Sequence, residues 1–202
     1  MNNVIYSNFD KSLMDKMPVE AFEGRIFVID TPNKIANAIS YLSTQNALGV
    51  DTETRPSFKK GRVNKVALLQ ISTLDTCFLF RINRTDVTQD MVNLFENNSI
   101  LKIGLSLKDD FQKLFDRQNF NPQGFIDLQT YVKEIGIQDN GLQKIYSNLF
   151  HKKISKRQQL SNWEADVLTE RQKLYAATDA WACLKIYNEV NNLKEHNTFT
   201  LI

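Results

Sequence analysis

The apolar run Ala47-Leu48-Gly49-Val50 leads directly into Asp51-Thr52-Glu53. This junction constrains the fold more than any other stretch. The run reads as a buried strand, and residues two apart on a strand leave the same face. Two carboxylates therefore share one face at the end of an interior strand, where charge is poorly solvated and like charges repel. Asp110 and the pair Tyr175…Asp179 pose the same problem on helices. Asp110 borders the apolar stripe of Leu107, Phe111, Leu114 and Phe115, whereas Asp109 points away with Gln112, Lys113 and Asp116. Tyr175 and Asp179 stand one turn apart on a face shared with Ala182 and Ile186. If the four acids meet, divalent cations are the usual remedy. A metal-dependent enzyme acting on phosphate esters is then expected.

Each signal alone has a plainer reading. Asp-x-Glu tripeptides are common on surfaces. Asp109 reads as a solvated charge favourable to a helix N-terminus. Tyr175 and Asp179 could be a hydrogen-bonded core pair, and Tyr-x-x-x-Asp recurs at Tyr6…Asp10 with no apolar stripe around it. The order in which the signals occur carries the specificity.

The pattern between them predicts strands at 25–29, 47–51, 66–72, 77–82 and 100–104, with a short extended piece at 125–126. Helices are expected after Asp30 or Thr31, near 88–96, 108–115, 128–135 and 142–149. The capping box Thr169-Glu170-Arg171-Gln172 opens a long helix to about Leu193. Strands first and then mostly helices suggest an α/β fold with a mixed sheet. The 202 residues suit one domain, expected at 25–195. Residues 1–24 read as a loosely attached N-terminal arm, and 196–202 as a C-terminal tail. The longest apolar runs are too short to span a membrane. The start lacks the pattern of a secretory signal, and Cys77 and Cys183 form no disulfide or metal spacing. A cytoplasmic setting is therefore expected. Net charge is +2, so a case for nucleic acid must come from local clusters.

The succession of Asp51-Thr52-Glu53, Asp110 and Tyr175-x-x-x-Asp179 resembles the tyrosine-containing branch of the DEDD superfamily of 3′–5′ exonucleases. Val66-Ala67-Leu68-Leu69-Gln70-Ile71-Ser72, Leu160-Ser161-Asn162-Trp163 and Leu174-Tyr175-Ala176-Ala177-Thr178-Asp179-Ala180 agree with it. The match is nearest to Werner-syndrome-type exonuclease domains, with ribonuclease D more distant, and covers roughly 26–190. Ser106 and Asp109 stand where many relatives carry Asn and an aromatic residue. The resemblance implies a ribonuclease H-like fold, with a mixed central β-sheet flanked by helices. It implies two divalent cations, Mg²⁺ or Mn²⁺, held by Asp51, Glu53, Asp110 and Asp179, with Tyr175 orienting the attacking water. It also implies release of 5′-mononucleotides from a free 3′ end. DNA is the favoured substrate, because ribonuclease D relatives carry extra helical domains after the nuclease. The alternatives are an exoribonuclease trimming structured RNA, or an inactive exonuclease fold that binds nucleic acid.

Thr52 and the basic loop residues Arg55, Lys59, Lys60 and Arg62 are candidate nucleic-acid contacts. Lys152, Lys153, Lys156 and Arg157 form a second basic cluster, and Phe58 could stack a base. Ordinary solvated loop charge is the alternative for both clusters. Trp163 and Trp181 read as core residues.

Overall fold

The computed structural model describes residues 3–58, 61 and 64–202. In chain order the strands are β1 (Asn3–Ile5), β2 (Arg25–Ile29), β3 (Ala47–Thr54), β4 (Val66–Ser72), β5 (Thr76–Phe80), β6 (Leu101–Gly104), β7 (Phe125–Asp127) and β8 (Phe199–Leu201). The α-helices are α1 (Pro32–Leu42), α2 (Ile82–Thr85), α3 (Gln89–Glu96), α4 (Leu107–Phe115), α5 (Leu128–Tyr131), α6 (Leu142–Phe150) and α7 (Glu170–His196). Among the described residues, six strands form one sheet in the order β2-β5-β4-β3-β6-β7. β4 runs antiparallel to β3 and β5, and the other pairings are parallel. The mixed α/β sheet expected from the sequence is present. No helix among the described residues is long and apolar enough to cross a membrane.

Alternation along the strands sorts the core into two layers. Val50, Leu69, Ile71, Phe78 and Phe80 face α1 and α3, meeting Ile35, Leu42, Met91 and Phe95. The opposite face receives α7. β4 has both faces covered and is buried throughout, as a central strand must be. The capping box at Thr169 and Gln172 is formed as the sequence predicts, so the start of α7, and hence its rotation, is fixed by local chemistry.

Small residues let α7 lie close to the sheet. Ala176, Ala177, Ala180 and Ala182 are fully buried. A β-carbon on Gly49 would sit 1.9 Å from the carbonyl oxygen of Ala180. Glycine is therefore needed here for close approach rather than for backbone freedom.

The N-terminal residues are packed, which corrects the expectation of a loose arm. β1 pairs in parallel with β8, and Ile5 and Phe9 are buried. The Phe9 amide donates to Asp139, and Tyr6 exchanges hydrogen bonds with Asn148. Glu20 accepts from Lys152 at 2.8 Å, from Lys185 at 2.9 Å and from the Tyr146 hydroxyl. These contacts join residues far apart in sequence, and no local pattern announces them.

Replacing Gly49 by alanine should destabilise the protein by at least the roughly 1–3 kcal/mol typical of overpacking. Urea denaturation would show a lowered midpoint with unchanged slope. An unchanged midpoint would mean that α7 does not press on β3.

Candidate active site

β3 and β4 are paired antiparallel, with Asp51 opposite Gln70 and Glu53 opposite Leu68. Gly49, Asp51 and Glu53 share one face of β3, and the contact of Gly49 with Ala180 shows that this face meets α7. Asp179 precedes Ala180 on α7 and lies beside the two strand acids. One carboxylate oxygen each from Asp51, Glu53 and Asp179 lies within 4.8 Å of the others. Glu53 is 8% exposed and Asp179 7%. Hard oxygen donors at this spacing fit a small divalent cation.

Asp110 is outside that trio but faces the same region. The Thr52 hydroxyl donates to Asp110 Oδ1 at 2.6 Å, tying α4 to β3. Asp109 is exposed, as the helical register predicted. Asp127 at the end of β7 sets the start of α4. It accepts from the amides of Ser106 at 3.3 Å and Leu107 at 2.9 Å. Ser106 has a left-handed backbone (φ 59°), a conformation costing a non-glycine residue roughly 1–2 kcal/mol. The two hydrogen bonds from Asp127 hold it there.

Electrostatics follow from the crowding. Burial raises Asp51 well above the ordinary carboxylate range, and repulsion from Asp179 and Asp110 adds to it. Glu53 is raised by burial and then by Asp51, Asp179 and Asp110. Burial lifts Asp179 to about 7 against opposition from the Tyr175 hydroxyl and Lys156. Asp110 rises to about 6 through burial, opposed by its bond from Thr52 and by Lys113. The Tyr175 hydroxyl is pushed above its usual value by burial and by the negative field of Asp179 and Glu53. It is therefore protonated at neutral pH and available as a donor.

A cleft of about 260 Å³ opens over Asp51, Glu53, Tyr175 and Asp179, lined also by Leu105, Gln143, Lys156 and Gln159. A second hollow shares Thr52, Glu53 and Gln159 with it and continues past Arg55, Ser57, Asn64 and Lys113. Together they outline a path across the acidic cluster. Arg55 borders it but is held by Glu164 at 3.0 Å. Lys59, Lys60 and Arg62 lie outside the described residues. The other basic cluster divides. Lys152 pairs with Glu20 and Lys153 donates to the Asp15 carbonyl, while Lys156 and Arg157 make no ion pair among the described residues. Phe58 is exposed. Trp163 is buried, and half-buried Trp181 packs against the Lys185 ammonium at 4.6 Å.

Sequence reasoning did not single out Asp127, Lys113 or Gln159. Asp127 follows Phe125-Ile126 as a strand-end carboxylate, the same kind of signal that marked Asp51. Lys113 was assigned to the outward face of α4, yet it lines the second hollow.

The model of a family described as 3'-5' exonuclease matches residues 26–194. The chain is 32% identical over 191 residues to the bifunctional 3'-5' exonuclease/ATP-dependent helicase WRN of Mus musculus. That match takes in 90% of this chain and only 14% of the mouse protein. A 3'-5' exonuclease of Arabidopsis thaliana is 30% identical over 194 residues, covering 88% of this chain and 67% of the plant protein. In structure, the Nibbler EXO domain of Aedes aegypti superposes with a TM-score of 0.80 at 22% identity, over 90% of this chain and 95% of that one. The last likeness establishes the fold.

An aspartate whose pKa rises on folding binds more protons folded than unfolded between the two values, so stability falls as pH rises through that interval. Asp110, moving from 3.8 to about 6, and Asp179, moving from 3.8 to about 7, act up to neutrality, and Glu53, moving from 4.5 to about 10, continues the fall above it. The melting temperature of metal-free protein should fall between about pH 4 and about pH 7. Asp179→Asn should flatten part of the fall, and Mg²⁺ or Mn²⁺ should raise the wild type more than this variant. A wild-type profile flat across the interval would contradict buried repulsion among these acids.

Proposed function

The chain belongs to the 3′–5′ exonuclease family, and from that premise we propose that it removes nucleotides singly from the 3′ end of DNA, releasing 5′-mononucleotides with the help of two divalent cations. The observation that carries the reading is the meeting of Asp51, Glu53 and Asp179 within the family-matched region. Preference for DNA rests on the likeness to the exonuclease segment of the mouse relative, which also carries a helicase.

In this reading Asp51, Glu53, Asp179 and Asp110 would hold the cations. Their oxygen-only donor set suits Mg²⁺ or Mn²⁺. When bound, the cations supply acidification of a water and neutralisation of charge on the phosphate and the leaving 3′ oxygen. Tyr175 remains a protonated hydroxyl and orients the attacking water, since burial among carboxylates makes it a poor base. Thr52 holds Asp110 at its angle through the 2.6 Å bond. Lys156 and Lys113 offset part of the negative field and face an incoming phosphate strand. Arg55 borders the path across the acidic cluster, and Lys59, Lys60 and Arg62 follow it in sequence as further candidate contacts.

Asp51→Asn, Asp110→Asn and Asp179→Asn should each lose more activity than the roughly 10–100-fold that removal of a supporting partner costs. Asp109→Asn should stay near wild type. Full activity of Asp179→Asn, or loss in Asp109→Asn with retention in Asp110→Asn, would break the assignment. Tyr175→Phe should lower kcat by about 100-fold with KM little changed.

Matched 3′-labelled DNA and RNA oligonucleotides should show faster release from DNA with either cation. Faster release from RNA would replace the substrate while leaving the carboxylate chemistry standing. Binding should weaken steeply with salt, less so after combined substitution of Lys59, Lys60 and Arg62 by alanine.

A further inference from the structure

Gln70 lies within β4 and is fully buried. Neither its amide nitrogen nor its amide oxygen has a hydrogen-bond partner. No other buried side chain of the described residues leaves two such atoms unpaired. A primary amide carries two donors and an oxygen with two acceptor sites, and burying it without partners is unfavourable. A local rule broken in this way is expected where function, rather than stability, selects the residue.

The sheet fixes what stands beside Gln70. In the row across β5, β4 and β3 it has Leu79 on one side and Asp51 on the other. Residues directly opposed in antiparallel strands point to the same face, with β-carbons about 5 Å apart. The side chain of glutamine is long enough to cross that gap. Its other neighbours on this face are apolar or engaged. Leu68 and Leu79 pack with Ala176 and Ala177 of α7. The Ser72 hydroxyl donates to the Thr73 carbonyl at 2.7 Å, and the Thr178 hydroxyl to the Leu174 carbonyl at 2.7 Å. Among the acids, Asp110 accepts from Thr52, and Asp179 has the Tyr175 hydroxyl beside it. No side chain of the described residues donates to Asp51.

We propose that Gln70 is a positioning residue for Asp51, its carboxamide donating to the carboxylate and holding it in the orientation a divalent cation requires. The inference rests on the cation reading given above. Carboxylates that ligate metals depend on hydrogen bonds from groups behind them. Gln70 does not line the cleft, so it acts through Asp51 rather than on cation or substrate. A neutral donor suits the position. A lysine there would compete with the cation for the carboxylate, and an acid would add to the repulsion.

Gln70→Met keeps the length of the side chain and removes its polar atoms. Stripped of metal, the full-length variant should melt at or above the wild-type temperature, because an apolar group of similar shape replaces an unpaired amide. Its affinity for Mn²⁺, read from the EPR signal of the free ion, should fall about 10–100-fold. In an Asp51→Ala background the same change should alter the residual Mn²⁺ affinity by less than about twofold, since no carboxylate is left to orient. Unchanged Mn²⁺ affinity overturns the proposal. So does a melting temperature below the wild type, or an equal loss of affinity in both backgrounds. Asp179→Asn is the control. If it weakens Mn²⁺ binding and Gln70→Met does not, the role of Gln70 fails and the cation reading stands. If neither does, the cation reading fails and this inference with it.

Discussion

The distance between β3 and α7 governs everything that happens at the acidic cluster. Asp51 and Glu53 are fixed to a central strand, and Asp179 is fixed to a long helix that could in principle lie at many heights above it. The Gly49–Ala180 contact sets that height at its lower limit, because backbone meets backbone with no side chain between. Alanines on α7 continue the close contact. The three carboxylates thus meet at cation-binding distance through packing alone, with no contribution from attraction among themselves.

Their mutual repulsion has to be carried by the rest of the molecule. Both faces of the sheet are filled, β4 is buried along its whole length, and α7 is started by a complete capping box. The N-terminal segment adds a further clamp, with Glu20 bridging Tyr146 and Lys185. Burial pushes Glu20 up as it does Asp110 and Asp179, but hydrogen bonds from Lys152, Tyr146 and Lys185 outweigh it and draw Glu20 down to about 2. One set of buried charges stabilises the scaffold, and another strains it where chemistry is expected.

Much of this was readable from local periodicity. Two-residue spacing put Asp51 and Glu53 on one face, and the Thr169 capping box fixed the register that carries Tyr175 and Asp179 inward. The stripe of Leu107 and Leu114 separated Asp110 from Asp109. What escaped depends on contacts between distant segments. The clamp at Glu20, the hold of Asp127 on the start of α4 and the engagement of Arg55 by Glu164 each join groups that no window of sequence shows together. β8 was missed because three residues give too little alternation to identify. Lys113 is exposed, as its place on the outward face of α4 implies, and what the sequence does not show is that this face borders the second hollow.

The order of the ligands along the chain has a consequence for synthesis. Asp51 and Glu53 are made early, whereas Asp179 arrives on α7, whose close seat on β3 completes the acidic cluster. A ribosome-bound chain that has not yet released α7 holds two repelling acids on a strand and no complete site. A member of an exonuclease family thereby gains its full set of acids only when its last long helix docks on the sheet.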